Sequence, residues 1–137
     1  MNSHIYEKAA ELRRSKAFID DDLLLRIGSM SSTELDELNF GVIGLSDEGT
    51  VLEYNKYEQV LAQRNKQDVL GALFFTEVAP CTNKPIFAGL FSFGIQQQRM
   101  DCMISYFFDF QMVPTHVWIH MYRHPTTHKN WLFIKQK

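Results

Sequence analysis

The segment THVWIHMY, residues 115–122, alternates strictly, and nothing else in the chain restricts the fold as much. A β-strand turns successive side chains to opposite faces. Val117, Ile119 and Met121 therefore share one face, and His116, Trp118, His120 and Tyr122 share the other. Two more β-prone segments flank it, CMISYFFDF at 102–110 and NWLFIKQ at 130–136. The connections QMVPT and RHPTTHKN contain Pro114 and Pro125, which is turn chemistry. The C-terminal third thus reads as three consecutive antiparallel strands.

Upstream, FGVIGLSDEGTVLEYN reads as a hairpin: a β-prone alternating run over 40–46, a DEG turn, then TVLEY. After Asn55, a residue able to cap a helix, NKYEQVLAQRN and KQDVLGALFF become helical and polar. IFAGLFSFGIQQQ, residues 86–98, places apolar side chains at 86, 87, 90, 91, 93 and 95. That spacing suits a buried helix, with Gly89 and Gly94 allowing close packing. Near the N terminus Ile5, Ala9 and Leu12 form one helical stripe with Phe18 beyond, opposite Glu7, Glu11 and Arg14. Ser3 is the predicted cap. The pattern breaks near Asp20–Asp22 and resumes weakly to Gly28. A Gly/Ser linker and a capping box follow, with Ser31 or Ser32 ahead of Glu34 or Leu35. These signals predict a helical cap or extension over 1–28 and a domain over 29–137.

The resulting order, β-β-α-α-α-β-β-β, is that of a PAS fold of the α+β class. It predicts a five-stranded antiparallel sheet with helices on one face and an N-terminal helical cap on the other. Such a fold encloses a pocket between sheet and helical cluster. A length of 137 residues fits one domain with a real core, and 11 phenylalanines predict an interior rich in rings.

Several functions are disfavoured. A net charge of −2 without clustered Lys and Arg argues against a nucleic-acid or anionic-membrane surface. No apolar run approaches a membrane span, and the start MNSHIYEKAAELRRSK lacks a signal core, so a cytoplasmic location is expected. Cys81 and Cys102 are expected as free thiols. No CxxC, HExxH or Cys/His cluster suggests zinc. His116 and His120 would lie about 13 Å apart on a strand, too far to share a metal, on a face expected to be half-exposed. Trp118 and Trp131 read as packing residues.

Cys81 sits in EVAPCTNKP, between two prolines. On spacing alone it reads as a small buried apolar residue. As a nucleophile it would need a base, and the histidines at 4, 116, 120, 124 and 128 form no Cys–His signature. Tyr54 ends a strand and Glu58 follows at i+4, so a phenol and a carboxyl can aim at one point. The alternative is that Tyr54 packs and Glu58 is solvated.

LEYN, GALFFTEVAPCT, FDFQMVPT and NWLFIK together resemble the photoactive yellow protein family, over about Leu38 to Lys137 without gaps. The resemblance implies a blue-light receptor, not an enzyme, with 4-hydroxycinnamic acid (p-coumaric acid) held as a covalent thioester on Cys81. It implies that Tyr54 and Glu58 hydrogen-bond the chromophore phenolate and that Arg64 covers the pocket. The Cys81 N–H would receive the chromophore carbonyl. Phe74, Val78, Ala79, Phe108 and Met112 correspond to pocket or nearby positions, Met112 at the place that tunes dark recovery. Light-driven trans–cis isomerisation and proton transfer from Glu58 would then loosen the N-terminal cap. Two positions depart from the family pattern. Ala62 stands where a threonine hydrogen-bonds the tyrosine, and Phe110 replaces the tyrosine of FDYQM. Both remove a hydroxyl and imply altered absorption and recovery.

The competing readings are a PAS ligand-binding or signalling module without a functional chromophore, and a cysteine enzyme. Retention of Tyr54, Glu58, Arg64 and Cys81 together weighs against the first, and the lack of a base signature against the second. The chain shows no kinase, cyclase or DNA-binding segment, so a separate downstream signalling protein is expected, and the N-terminal helix could also serve a homodimer.

Overall fold

The computed structural model describes residues 2–109 and 114–137. Five strands form one antiparallel sheet: β1 (Gly41–Leu45), β2 (Val51–Tyr54), β3 (Asp101–Phe108), β4 (Thr115–Arg123) and β5 (Asn130–Gln136). Their order in space is β2-β1-β5-β4-β3. The alternation of 115–122 survives intact. Val117, Ile119 and Met121 join Leu132 and Ile134 in the larger core under the helical cluster, while Tyr122 joins Trp131 and Phe133 on the opposite face. In register, Ile119 faces Ile134 and Met121 faces Leu132. This is the predicted PAS architecture.

Between β2 and β3 lie α4 (Lys56–Ala62), α5 (Lys66–Val69) and α6 (Leu90–Gln97). Short wide turns at Phe74–Val78 and Pro85–Gly89 and a tight one at Pro80–Thr82 connect them. The predicted 86–98 helix is regular only from Leu90, its first turn being the wide one that begins at Pro85. Phe87, Leu90 and Phe91 are buried as the spacing requires. Gly94 is needed for space: a Cβ there would lie 2.8 Å from Met100 Sδ. Gly89 meets only ordinary contacts.

The N-terminal part is helical, as α1 (Asn2–Lys16), α2 (Asp21–Arg26) and α3 (Ser32–Asp36). Because α1 already begins at Asn2, Ser3 lies inside its first turn and does not cap it. Asp20 caps α2 through Leu23 N at 2.8 Å. The capping box resolves to Ser31 and Glu34, each side chain bonding the other's backbone N–H. Ile19, Leu24, Ile27 and Leu35 pack with Val42, Trp131 and Phe133 on the sheet face away from the helical cluster. α1 does something different: it runs along the edge strand β3 and touches α6. Its predicted stripe faces inward, with Ala9 buried in the larger core and Ile5 packed against it.

Charge fastens α1 to that edge. Arg13 Nε donates to Asp101 Oδ1 at 2.9 Å and its Nη2 to Asp21 at 3.1 Å. Tyr6 Oη accepts from the Asp101 backbone N–H at 2.9 Å. His120 Nε2 lies 2.6 Å from the same Asp101 oxygen. This corrects the expectation of a half-exposed His120, which is 0% exposed. The reason is tertiary: the ring packs against Tyr122 and Phe133 beneath the N-terminal segments. His116 does remain exposed.

Burial raises the Asp101 pKa, but the hydrogen bonds from His120 and Arg13 outweigh it and hold the carboxyl below its ordinary value. Its contribution is therefore complete above the unfolded value of ~4 and is lost as pH falls through the lower folded one. Arg13→Ala should release α1 alone. At neutral pH, hydrogen exchange should show roughly fivefold weaker protection over residues 2–16, of the order of 1 kcal/mol, with β4 and β5 unchanged. Uniform loss across the sheet, or none anywhere, would contradict this.

Candidate functional site

The site begins at the β2–α4 junction. Asn55 accepts at Oδ1 from Glu58 N at 3.2 Å, which makes it the N-cap of α4. The same oxygen accepts from Val42 N at 2.9 Å, so the helix start is fixed to β1. This puts Tyr54 at the end of the strand and Glu58 within the first turn of the helix, both buried. α4 stops at Gln63, whose φ of 55° is left-handed, a conformation costing a non-glycine residue about 1–2 kcal/mol. The reversal sends Arg64 back over the site, where its Nη1 donates to Val78 O.

Tyr54, Glu58, Ala62, Arg64, Phe74, Val78, Ala79 and Phe108 line one narrow cavity of about 20 Å³. Eight of the sequence-predicted positions thus meet in one place. Cys81 does not line this cavity. It borders an adjoining, more open depression of about 260 Å³ with Lys84, Tyr106, Phe107 and Asp109. Ala79 lines the first space and Cys81, two residues on, the second. Phe110 and Met112 lie outside the described residues.

Glu58 decides the chemistry. It is only 4% exposed, and among the described residues its Oε1 has no hydrogen-bond partner. An unpaired buried polar atom costs about 1–3 kcal/mol. Burial pushes its pKa up to about 8, so the acid is protonated at neutral pH. Burial, then the neighbouring Glu58, raise the Tyr54 phenol as well, against a smaller opposing pull from Arg64. The cavity therefore holds two neutral O–H donors and a carboxyl oxygen without a partner. Such a donor set suits a buried anionic oxygen, which would be costly without it. The carboxyl also fills the space beside Gly41: a Cβ there would lie 2.2 Å from Glu58 Oε1, so a larger residue would require the carboxyl to move.

The two thiols differ. Cys81 is partly exposed in its turn, whereas burial raises Cys102 to about 12, and neither is in a disulfide. Tyr106 Oη donates to Cys81 O at 2.6 Å, and Thr82 Oγ1 to Ala79 O at 2.6 Å. Gly41, Tyr106 and Thr82 carried no local sequence signal, since their roles depend on neighbours distant in the chain. Among the described residues no cluster of His, Cys, Asp or Glu is arranged to hold a metal, and no helix is long and apolar enough to cross a membrane.

No family model matches the chain. It is 40% identical over 119 residues to the photoactive yellow protein of Rhodothalassium salexigens, covering 87% of this chain and 95% of that one. To the photoactive yellow protein of Halochromatium salexigens it is 38% identical over the same shares. The crystal structure of the photoactive yellow protein domain from the sensor histidine kinase Ppr of Rhodospirillum centenum superposes with a TM-score of 0.76 at 38% identity, covering 80% of this chain and 96% of that one. The PAS domain of an HTR-like protein from Haloarcula marismortui, at 12% identity, shares the fold, with a TM-score of 0.60 over 82% of this chain and 98% of that one.

The Glu58 carboxyl has a pH signature in the protein without any added ligand. Between the ordinary value of 4.5 and the folded value of about 8, the folded state keeps a proton that the unfolded chain has released. Stability is then full below 4.5 and declines as pH rises to 8. Glu58→Gln keeps the shape and removes the titration, so its urea midpoint should decline less across that window. Parallel curves for the two proteins would refute the assignment.

Proposed function

The chain belongs to the photoactive yellow protein family, and from that premise we propose that it is a blue-light photoreceptor carrying 4-hydroxycinnamic acid as a thioester on Cys81. One observation carries the reading: the buried, protonated Glu58 carboxyl, its Oε1 without a partner among the described residues, beside the Tyr54 phenol in a cavity lined in part by Val78 and Ala79, just ahead of Cys81. When bound, the chromophore supplies the light absorption and the trans–cis isomerisation. Tyr54 and Glu58 would donate hydrogen bonds to its phenolate, and the Cys81 N–H would hold its carbonyl. Arg64, bonded to Val78 O, closes the cavity against water, and Phe74, Val78, Ala79 and Phe108 give it apolar walls.

Glu58 stays protonated while an anion shares its cavity, because a second buried negative charge is disfavoured. Surrender of its proton would leave a buried carboxylate with no cation bonded to it, and a charge of that kind destabilises the packing around it. The element best placed to yield is the N-terminal extension, which is held at the β3 edge by a few side chains rather than by strand pairing. Output would pass to a downstream signalling protein.

Two experiments test the reading. Mixing the protein with activated 4-hydroxycinnamate should give a stable yellow adduct that bleaches in blue light, and Cys81→Ala should give none. Failure of the parent protein to form the adduct would leave instead a PAS module for another ligand. Ala62 lines the cavity beside Tyr54, and Ala62→Thr restores a hydroxyl that can bond the tyrosine. The absorption band should shift between Ala62→Thr and the parent. Superposable spectra would show that this position does not tune the chromophore.

A further inference from the structure

The loop that bears Cys81 is held in an unusual way. Four successive backbone carbonyls each have a fixed donor. Val78 O receives Arg64, Ala79 O receives Thr82 through both its backbone N–H and its hydroxyl, Pro80 O receives Asn83 N, and Cys81 O receives Tyr106. The donors to Ala79 and Pro80 belong to the loop itself, so those bonds shape the turn without placing it in the molecule. Tyr106 is different. It stands in β3, which makes its bond the one that fixes the Cys81 carbonyl to the sheet.

The donor is itself immobilised. The Tyr106 ring meets Phe87 edge-on at 5.1 Å and 76°, and Phe108 at 5.7 Å and 67°. Edge-to-face pairs of this kind resist reorientation. Burial first, then the adjacent Cys81 and Asp109, push the phenol pKa up, so the hydroxyl keeps its proton and remains a donor. The 2.6 Å separation is short for O–H···O contacts.

We propose that Tyr106 is a positioning residue for the attachment site, its hydroxyl locking the Cys81 peptide to β3 so that the thiol and the neighbouring N–H present a fixed geometry to the acyl group. This rests on the reading of Cys81 as the thioester site. Without the bond, the Cys81–Thr82 peptide is held only from within the loop, by the Thr82 N–H on Ala79 O, and the turn can shift as a unit relative to β3. The hydrogen bond offered by the Cys81 N–H then becomes longer and more variable, while Tyr54 and Glu58, on other elements, are unaffected.

Tyr106→Phe keeps the ring packing and removes only the donor. The parent and variant, each loaded with activated 4-hydroxycinnamate, should form the yellow adduct in equal yield with thermal midpoints within about 2 °C. The infrared band of the thioester carbonyl should move to higher frequency and broaden in the variant, as expected for a weakened hydrogen bond. Amide exchange at Thr82 and Asn83 should quicken about fivefold. An unshifted carbonyl band overturns the proposal, even if exchange quickens, because the bond would then steady the loop without positioning the site. If the parent itself forms no adduct, the photoreceptor reading fails and this role falls with it, a result distinct from a parent that loads and a variant whose band does not move.

Discussion

The fold turns on the Asn55 side chain. It is buried, and it uses both faces of its amide: Oδ1 accepts from Val42 N and Glu58 N, and Nδ2 donates to Leu35 O at 2.8 Å and Phe40 O at 3.0 Å. Its own backbone N–H bonds Val42 O. One amide therefore joins the end of the N-terminal helices, the first strand and the first helix of the pocket. A buried amide with all four sites satisfied is a precise register device, since displacement of any partner orphans a polar group at a cost of about 1–3 kcal/mol. The position of Glu58 follows from it, and the chemistry of the cavity follows from Glu58.

The cavity works by withholding partners. The Glu58 carboxyl is pressed against Gly41 and kept neutral by burial, and its Oε1 has no partner among the described residues. Under the proposed function that group is reserved for the chromophore. The surrounding loop shows the opposite economy, with every carbonyl from Val78 to Cys81 occupied. A tightly specified loop beside an under-satisfied acid is what a site needs if its proton is to move while its framework stays in place.

Much of this was legible in the sequence because it depends on local periodicity and spacing. The alternation of 115–122 fixed which side of β4 faces which core, Ser31 and Glu34 declared a helix start, and Asn55 declared another. The family words located Tyr54, Glu58, Ala62 and Arg64 around one point. What escaped is tertiary. His120 reads as half-exposed because it shares with His116 a strand face expected to be half-exposed, and only the covering N-terminal segments bury it. Ser3 has cap chemistry, yet α1 starts before it. Cys81 borders a different space from Tyr54 and Glu58, a placement that sequence spacing cannot show. Nothing in FGVIG announces that the space beside Gly41 is taken by an acid seventeen positions away.

The placement of α1 along β3 has a consequence for the state of aggregation. An edge strand exposes a row of unpaired N–H and C=O groups on which another extended chain can lengthen the sheet. β2, at the far edge, meets the segment that follows α5, where Val51 bonds the backbone of Gly71 and Ala72. Among the described residues β3 has no such strand-like neighbour, and α1 lies along it, Tyr6 accepting the Asp101 N–H. A helix cannot continue a β-ladder. The extension thus caps that edge, and the side chains that hold it in place also cover the surface on which strand addition would otherwise begin.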